Sequence, residues 1–346
     1  MVQKITVTEL FDTYYHFPIL DVRSPSEFLQ GHIPNGVNFP LFSDEERIVV
    51  GTKYKQASPE KALLVGLDFV GKKLSQFVGK AKKIAPQKIV ILYCARGGKR
   101  SSSMAWLLDL AGFDVYLLEN GYKSYRNYIL NYLDFSKYTF YVIGGRTGSG
   151  KTHILHQLSK QNKQIIDLEQ IAHHKGSAFV NLGELNQPTN EQFENQLLTQ
   201  LYFLQSEKEI FVENESRTIG KVAVPQNFWA KMKSSILIDL EIPFTYRLEN
   251  ILTDYRHFKT EDLVASFQKI NKKLGNLQLK NAITLLEQSD ITAAAVIALT
   301  YYDKLYLHSF ENNPTLVIKK LNFDNNDFVK ISNYLIQYTN QLFVSK

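Results

Sequence analysis

Short apolar runs separated by polar, glycine-containing stretches mark the first 135 residues of the chain. Runs of four to six mostly apolar residues predict buried strands at 19–22, 88–93 and 115–118. Longer patterns with helical spacing predict helices at 101–110 and 122–133. Strands that alternate with helices in this way are typical of an α/β layer architecture. A short polar stretch at 134–137 then marks a predicted domain boundary.

A second alternation of strands and helices begins at residue 139. Apolar runs predict strands at 139–143, 165–166, 210–212 and 236–240, and the pattern at 151–161 predicts a helix after the first of them. Because strands joined through helices pair in parallel, we expect a mainly parallel sheet with helices on both faces. From about residue 243 onward the apolar positions recur at helical spacing, so this region is predicted to be mostly helical.

These patterns predict an α/β protein in three regions. We expect one α/β domain at residues 1–135, a second at 136–255, and a helical C-terminal extension at 256–346 that packs on the second domain. The total length of 346 residues agrees with more than one core, because a single domain has roughly 150 residues.

Composition narrows the class of protein. Hydrophobic residues make up 44% and charged residues 21% of the chain, which is typical of globular proteins. A single cysteine, Cys94, excludes an intrachain disulfide and a multi-cysteine zinc site. The N-terminal segment lacks the basic start and apolar core of a secretory signal, and no apolar run approaches the roughly 18 residues that cross a bilayer. We therefore expect a cytoplasmic protein with no membrane partner.

Positive charge is concentrated in one segment. Nine lysines and two acidic residues give residues 53–88 a charge of +7, which exceeds the net charge of +6 of the whole chain. The lysines are Lys53, Lys55, Lys61, Lys72, Lys73, Lys80, Lys82, Lys83 and Lys88. A solvated surface and a contact with a phosphate backbone explain this segment equally well.

The only thiol lies at the end of a predicted strand and opens a loop that leads into a helix. We call residues 94–101 the cysteine loop; after Cys94 its candidate anion-binding residues are Arg96, Gly97, Gly98, Lys99, Arg100 and Ser101. Backbone N–H groups, a helix N-terminus and three cations all favour the thiolate, which can take up sulfur, selenium or a phosphoryl group. The alternative is a buried structural cysteine, for which the cations would be costly neighbours.

The stretch at 20–40 resembles the opening motif of rhodanese-like domains, and Cys94 falls where those domains keep their catalytic cysteine. The resemblance implies that four residues hold loops around the site rather than react, namely Asp21, Arg23, Glu27 and His32. Five residues separate Cys94 from Arg100, as in related cysteine phosphatases, and this loop is longer than that of simple sulfur-transferring rhodaneses. The longer loop favours a phosphate-bearing substrate.

A second anion-binding motif follows the strand at 139–143. We call residues 145–152 the phosphate loop, because they match the pattern G-x-x-x-x-G-K-[ST] between a predicted strand and a predicted helix. Its residues are Gly145, Arg146, Thr147, Gly148, Ser149, Gly150, Lys151 and Thr152. The backbone N–H groups can surround phosphate oxygens, Lys151 can neutralise them, and Thr152 can ligate magnesium if it is present. A nucleoside triphosphate is the default ligand, but such a loop accepts any diphosphate.

Polar residues at the other predicted strand ends are candidates for acid–base chemistry or substrate contact. They are Asp167, Glu169, His174, Glu213, Glu215 and Arg217. A carboxylate in such a position can hold magnesium or water or act as a base, and capping a loop is an equally good explanation. The adjacent His173 and His174 lack a nearby cysteine, so we predict no metal site there and leave magnesium dependence open.

The two signatures together resemble the tRNA 2-selenouridine synthase family along nearly the whole chain. Further resemblance lies at 50–55, 167–177, 213–220 and 301–303. The family replaces the sulfur of a wobble 2-thiouridine with selenium from selenophosphate, through an S-geranyl intermediate made from geranyl diphosphate. The resemblance implies that selenophosphate binds the cysteine loop, that geranyl diphosphate binds the phosphate loop, and that tRNA is the partner, with no tightly bound cofactor. It leaves open whether Cys94 carries selenium covalently.

Two other functions remain compatible with the sequence. A P-loop kinase fused to a rhodanese-type cysteine phosphatase would keep both loops and would turn over ATP without RNA. A non-catalytic RNA-binding protein would not need Cys94 at all. The sequence does not predict the oligomeric state or the tRNAs that are used.

Overall fold

The computed structural model describes residues 2–131, 133–174, 186–311 and 317–344. The chain forms two compact units. The first comprises Met1–Leu133 together with Glu191–Thr199, and the second comprises Asp134–Asn190 together with Gln200–Lys346. In the described part of the chain, no helix is long and apolar enough to cross a membrane.

A five-stranded parallel sheet forms the centre of the first unit. Its strands are β1 (Val2–Ile5), β2 (Ile19–Asp21), β3 (Gly36–Asn38), β4 (Ile89–Tyr93) and β5 (Asp114–Leu118). They are arranged in the order β1-β5-β4-β2-β3, and all neighbours are parallel. Because β4 is the middle strand, the residue that follows it, Cys94, leaves the sheet at the centre of its carboxyl edge.

Helices pack against this sheet over an apolar core. They are α1 (Val7–Glu9), α2 (Pro25–Gln30), α3 (Asp44–Gln56), α4 (Pro59–Gly71), α5 (Leu74–Ile84), α6 (Lys99–Leu110) and α7 (Gly121–Asn131), with a π-helical segment at Leu10–Tyr14. Leu92 of β4 and Met104 and Leu108 of α6 are fully buried in one cluster. The strand, glycine loop and helix predicted around Cys94 are therefore confirmed, with bounds that differ by a residue or two.

The second unit contains another five-stranded parallel sheet. Its strands are β6 (Thr139–Gly145), β7 (Gln164–Ile166), β8 (Glu209–Glu213), β11 (Ile236–Glu241) and β12 (Val317–Asn322), and a separate antiparallel pair is formed by β9 (Thr218–Ile219) and β10 (Val222–Ala223). The order β12-β11-β6-β8-β7 puts β6, which leads into the phosphate loop, in the middle. The prediction of a mainly parallel sheet is confirmed.

The helices of the C-terminal two thirds of the chain include the one predicted at 151–161 and those predicted after residue 243, where there is one exception; the helices at 168–233 were not predicted individually. Together they are α8 (Lys151–Lys160), α9 (Leu168–Ala172), α10 (Asn190–Phe203), α11 (Gln226–Lys233), α12 (Phe244–Tyr255), α13 (Thr260–Lys269), α14 (Asn271–Leu274), α15 (Asn276–Glu287), α16 (Ile291–Glu311) and α17 (Phe328–Val344), with a 3₁₀ turn at Phe135–Lys137. The exception is β12, a strand within the region predicted to be mostly helical. Its two central lysines, Lys319 and Lys320, are typical of a strand at the edge of a sheet.

Helix α10 contributes a segment to the first unit that is distant in sequence. Within Glu191–Thr199, Asn195 donates from Nδ2 to the carbonyl oxygen of His32 at 2.9 Å and accepts from Arg126 Nη1 at 2.7 Å. The hydroxyls of Thr199 and Tyr125 share a hydrogen bond of 2.8 Å. These buried polar contacts show that the first unit is completed by residues that the sequence analysis placed in the second domain.

A buried ion pair fixes the loop after β2. Asp21 is fully buried, and Arg23 donates from Nη2 to Asp21 Oδ2 at 2.6 Å and to the carbonyl oxygen of Gly31 at 2.6 Å. The guanidinium of Arg23 also lies 3.9 Å from the ring centroid of Tyr122. Removing one partner of such a pair costs about 3–5 kcal/mol, because the other charge stays buried and unpaired. These contacts agree with the loop-holding role expected of Asp21 and Arg23.

Two candidate phosphate-binding sites

The thiol of Cys94 lies inside the cysteine loop, where it accepts hydrogen bonds. Cys94 is only 3% exposed, and its Sγ accepts from the backbone N–H of Gly98 at 3.3 Å and from the hydroxyl of Ser101 at 3.1 Å. Gly98 is also the N-cap residue of α6, so the helix N-terminus is close to the sulfur. Donors around a sulfur stabilise its negatively charged form.

The pKa of the Cys94 thiol lies below its ordinary value. Burial raises this pKa, but the hydroxyl of Ser101, the backbone N–H groups of Arg96 and Ser101, and the charge of Arg100 lower it by more. A cysteine that served only to fill the core would lack these donors. The environment therefore favours a nucleophilic thiolate.

Close backbone packing gives the cysteine loop its shape. Gly97 and Gly121 both have positive φ angles, +62° and +58°. A Cβ on Gly121 would lie 2.1 Å from the carbonyl oxygen of Cys94, and a Cβ on Gly97 would lie 2.9 Å from the backbone nitrogen of Asn120. The start of α7 thus packs closely against the cysteine loop, and only glycine fits at positions 97 and 121.

The three cations of the cysteine loop have different surroundings. Arg100 forms a two-point ion pair with Glu27, with N–O distances of 2.6 and 3.2 Å. Arg96 and Lys99 are exposed. Glu27 thus holds Arg100 beside the thiol, which matches the loop-holding role implied for Glu27, whereas the anion-binding role predicted for Arg96 and Lys99 stays a prediction.

Three glycines with positive φ angles shape the phosphate loop, and its neighbours leave no room for side chains there. The φ angles of Gly145, Gly148 and Gly150 are +146°, +81° and +76°. A Cβ on Gly148 would lie 2.6 Å from the carbonyl oxygen of Arg247, and one on Gly150 would lie 2.3 Å from the ring of Phe328. This is the conformation in which successive N–H groups converge on an anion.

Two polar side chains of the phosphate loop have few hydrogen-bond partners among the described residues. The hydroxyl oxygen of Ser149 is buried and has no hydrogen-bond partner among the described residues. The ammonium group of Lys151 makes a long hydrogen bond of 3.3 Å to the carbonyl oxygen of Gly145. Because buried polar groups normally have partners, the Ser149 hydroxyl is a donor that a group with acceptor oxygens could satisfy.

Helices α12 and α16 hold the phosphate loop from outside. Arg247, which is 2% exposed, donates to the carbonyl oxygen of Thr147 at 3.0 Å and forms a two-point ion pair with Asp303 at 2.8 and 2.7 Å. Tyr306 accepts from the backbone N–H of Gly145 at 2.8 Å and donates to Asp239 at 2.6 Å. The sequence analysis missed Arg247, Tyr306 and Asp239, and only the motif at 301–303 pointed to this region.

Three of the predicted acidic residues come together at the carboxyl ends of β7 and β8. Carboxylate oxygens of Glu169, Glu213 and Glu215 all lie within 4.8 Å of one another. Glu213 is fully buried; one oxygen accepts from the backbone N–H of Glu169 at 2.7 Å, and the other has no partner among the described residues. The hydroxyl of Thr152 donates to Glu169 at 3.4 Å, so this acidic group adjoins the phosphate loop.

Burial and mutual repulsion raise the pKa of two members of this group. Burial and then the charges of Glu169 and Glu215 raise the pKa of Glu213 well above its ordinary value, and burial raises that of Glu215 against the opposing charge of Lys151. Oxygen ligands of this kind, together with the unpartnered oxygen of Glu213, fit a divalent cation such as magnesium. The magnesium dependence that the sequence left open therefore stays untested.

The other predicted residues have more ordinary surroundings. Asp167 caps α9 by accepting from the N–H of Gln170 at 2.8 Å, and it lies 2.9 Å from His156 Nε2. The side chain of Arg217 is exposed, and that of His174 is half-buried. Capping is thus the role that the structure gives Asp167. Lys175, Gly176 and Ser177 of the motif at 167–177 lie outside the described residues.

The Ser101 hydroxyl should lower the pH at which the Cys94 thiolate forms. In Ser101→Ala the thiolate loses a donor, so the pKa of Cys94 should rise and the thiolate should form only at higher pH. The pH dependence of alkylation by iodoacetamide measures this directly, because Cys94 is the only cysteine. Ser102→Ala is the control, since the Ser102 hydroxyl donates to the carbonyl oxygen of Gly98. An unchanged profile in Ser101→Ala would contradict the assignment.

Comparison with known proteins found family models that match both parts of the chain. Residues 138–338, more than half of the chain, match the model of the tRNA 2-selenouridine synthase AAA domain, and residues 6–128 match that of the rhodanese-like domain. The tRNA 2-selenouridine synthases of Nitrosomonas eutropha and Bdellovibrio bacteriovorus are 34% and 33% identical to this chain. The alignments cover 85% and 91% of this chain and 88% and 94% of those proteins. The chain therefore belongs to the tRNA 2-selenouridine synthase family.

Proposed function

We propose that the protein modifies tRNA by converting 2-thiouridine into 2-selenouridine, with selenophosphate at the cysteine loop and geranyl diphosphate at the phosphate loop. The observation that carries this proposal is the presence of one tightly packed, glycine-rich loop in each unit, only one of which contains a cysteine, whose pKa is lowered. Two chemically different phosphate compounds fit this division. The names of the relatives support selenium as the element that is inserted.

The first step is the alkylation of sulfur. The sulfur of 2-thiouridine attacks C1 of geranyl diphosphate, the C1–O bond breaks, and diphosphate leaves while the ring nitrogen N3 loses its proton. Lys151 and the N–H groups of the phosphate loop stabilise the negative charge on the leaving diphosphate. A carboxylate of Glu169 or Glu215 can accept the proton. A magnesium ion held by the acidic group would add further charge neutralisation.

The second step is the displacement of sulfur by selenium. A thione sulfur is a poor leaving group, but the S-geranyl group can leave as a thiol when a selenium nucleophile attacks C2. The thiolate of Cys94 can release that nucleophile by attacking phosphorus in selenophosphate: the S–P bond forms, the Se–P bond breaks and selenide leaves. Water then hydrolyses the phosphocysteine to phosphate and free thiol. The five-residue spacing from Cys94 to Arg100 supports this role, as in cysteine phosphatases.

The tRNA contact is proposed for the lysine-rich segment 53–88. Eight of its nine lysines are exposed; the ninth, Lys73, is half-buried and pairs with Glu46. Exposed lysines on α3, α4 and α5 can contact successive backbone phosphates, with affinity that falls as salt displaces them. The basic residues Lys272 and Lys273 of α14 are further candidates.

Mass spectrometry of tRNA nucleosides tests the proposal as a whole. A tRNA that contains 2-thiouridine is incubated with the protein, geranyl diphosphate and selenophosphate, and each small molecule is omitted in turn. We expect S-geranyl-2-thiouridine without selenophosphate and 2-selenouridine with both compounds. If tRNA binds but no nucleoside changes, the proposal is wrong, and RNA-independent ATP turnover would then favour the kinase–phosphatase alternative.

Substitution of the thiol should separate the two steps. Cys94→Ser should abolish selenium insertion while leaving geranyl transfer within about twofold, because the thiol serves only the selenophosphate side. Added hydrogen selenide should restore selenium insertion, since it replaces the nucleophile that Cys94 releases. The same nucleoside assay measures all three outcomes, with Ser102→Ala as control. Loss of geranyl transfer in Cys94→Ser would indicate a structural cysteine instead.

Substitution of the loop lysine should affect the other step. Lys151→Ala should weaken the binding of geranyl diphosphate by about 2–3 kcal/mol, because a charge-assisted contact to the diphosphate is lost. Calorimetric titration with geranyl diphosphate measures the change. Lys160→Ala is the matched control, because Lys160 is an exposed residue at the far end of the same helix. Equal affinities for the two variants would contradict the assignment of the diphosphate to this loop.

A further inference from the structure

An apolar pocket lies beside the phosphate loop in the second unit. Its empty volume, including the part open to solvent, is about 500 Å³. Side chains from α12, α13, α15 and α16 line it, and Thr147 of the phosphate loop forms part of the same wall. Of the described residues that line the pocket, only Thr147 and Tyr302 carry a polar side-chain atom, and none is charged.

Helix α12 joins the pocket to the phosphate loop. Arg247 and Asn250 of this helix donate to the carbonyl oxygens of Thr147 and Gly148 at 3.0 and 2.9 Å. The next two residues of α12, Ile251 and Leu252, line the pocket. Two successive parts of one helix thus contact the phosphate-binding backbone and the apolar wall, so the distance between the two sites is fixed by a rigid element.

Helix α16 makes the same connection from the other side. Asp303 forms the ion pair with Arg247, and the preceding residue, Tyr302, lines the pocket. One turn earlier, Leu299 and Ala298 continue the wall. The pocket is therefore an extension of the phosphate site and not a separate cavity in the helical region.

Small side chains on α16 create the space. Ala294, Ala295 and Ala298 line the pocket and are 1%, 8% and 6% exposed. They face Leu263, Phe267 and Leu286 from the helices opposite, which are also buried. Three alanines on one face of a helix leave volume that larger apolar residues would fill, and a tightly packed structural core would not retain it.

We propose that this pocket binds the hydrocarbon chain of an isoprenoid diphosphate whose phosphate groups lie in the phosphate loop, and that it selects the ten-carbon chain over shorter ones. This inference rests on the proposed function, and it names the subsite and the residues that set specificity. A nucleoside would bring sugar hydroxyls and ring nitrogens into a wall that offers two hydroxyl groups. Such unpaired polar groups are costly to bury, whereas a hydrocarbon chain is stabilised there.

The affinity of an isoprenoid diphosphate should increase with the number of carbon atoms that the pocket buries. Each buried methylene group contributes about fourfold in affinity, so a five-carbon dimethylallyl chain should bind on the order of 100-fold or more weakly than a geranyl chain. Inorganic pyrophosphate, which has no chain, should bind the phosphate loop alone. These three compounds separate the contribution of the pocket from that of the loop.

Filling the pocket tests the proposal. In Ala298→Leu and Ala295→Leu, the preference for geranyl over dimethylallyl diphosphate in kcat/KM for tRNA alkylation should fall roughly tenfold or more. Val296→Leu is the matched control: this residue of α16 is 36% exposed and does not line the pocket, so its preference should equal that of the parent. Unchanged affinity for pyrophosphate shows that the variants are folded. An unchanged preference in both pocket variants overturns the inference.

A measurement on the unaltered protein keeps the test independent of these variants. Hydrogen exchange is compared with pyrophosphate and with geranyl diphosphate bound. Geranyl diphosphate should slow exchange in α13 and α16 in addition to residues 145–152, whereas pyrophosphate should slow only the loop. Identical protection by the two compounds overturns the pocket assignment even if geranyl transfer occurs. If the parent protein transfers no geranyl group to tRNA, the proposed function fails instead, and the exchange pattern still decides where the chain binds.

Discussion

Arg247 is the buried charge on which the arrangement of the second unit depends. It has almost no contact with solvent, and it satisfies its charge through Asp303 and the carbonyl oxygen of Thr147. A buried guanidinium tolerates little displacement of its partners, because a lost partner leaves the charge uncompensated. The loop backbone, α12 and α16 are therefore held in one arrangement before any ligand binds, which is the preorganisation that charge stabilisation in catalysis requires.

Both units use the same geometric solution for different chemistry. In each, the middle strand of a parallel sheet ends in a glycine-rich loop that leads into a helix, so N–H groups converge at the carboxyl edge. The first unit adds a thiol with a lowered pKa at this point. The second unit adds an ammonium group, a group of carboxylates and an apolar pocket. The nucleophilic thiol thus lies in the first unit only. The apolar pocket lies beside the loop of the second unit.

The sequence predicted those features of the structure that depend on neighbouring residues. The strand, loop and helix around Cys94 and around Lys151 follow from contiguous residues, whose apolar spacing and glycines carry the signal. The contacts of Arg247 join residues 100 and 56 positions apart, and no local pattern marks such a pair. Strand β12 was missed because its paired lysines interrupt a short apolar run. The acidic group was found only as separate strand-end residues, since its assembly depends on sheet order.

The first unit includes part of α10, and this affects both the folding of the chain during synthesis and the choice of gene fragments. During synthesis, the rhodanese-like unit cannot reach its final form until residue 199 has left the ribosome, because Tyr125 and Arg126 find their partners in Glu191–Thr199. A gene fragment that stops near residue 135 would encode a product with unpaired buried polar groups. Each unit is thus built from two separate stretches of the polypeptide, so neither can be replaced by exchanging one continuous segment.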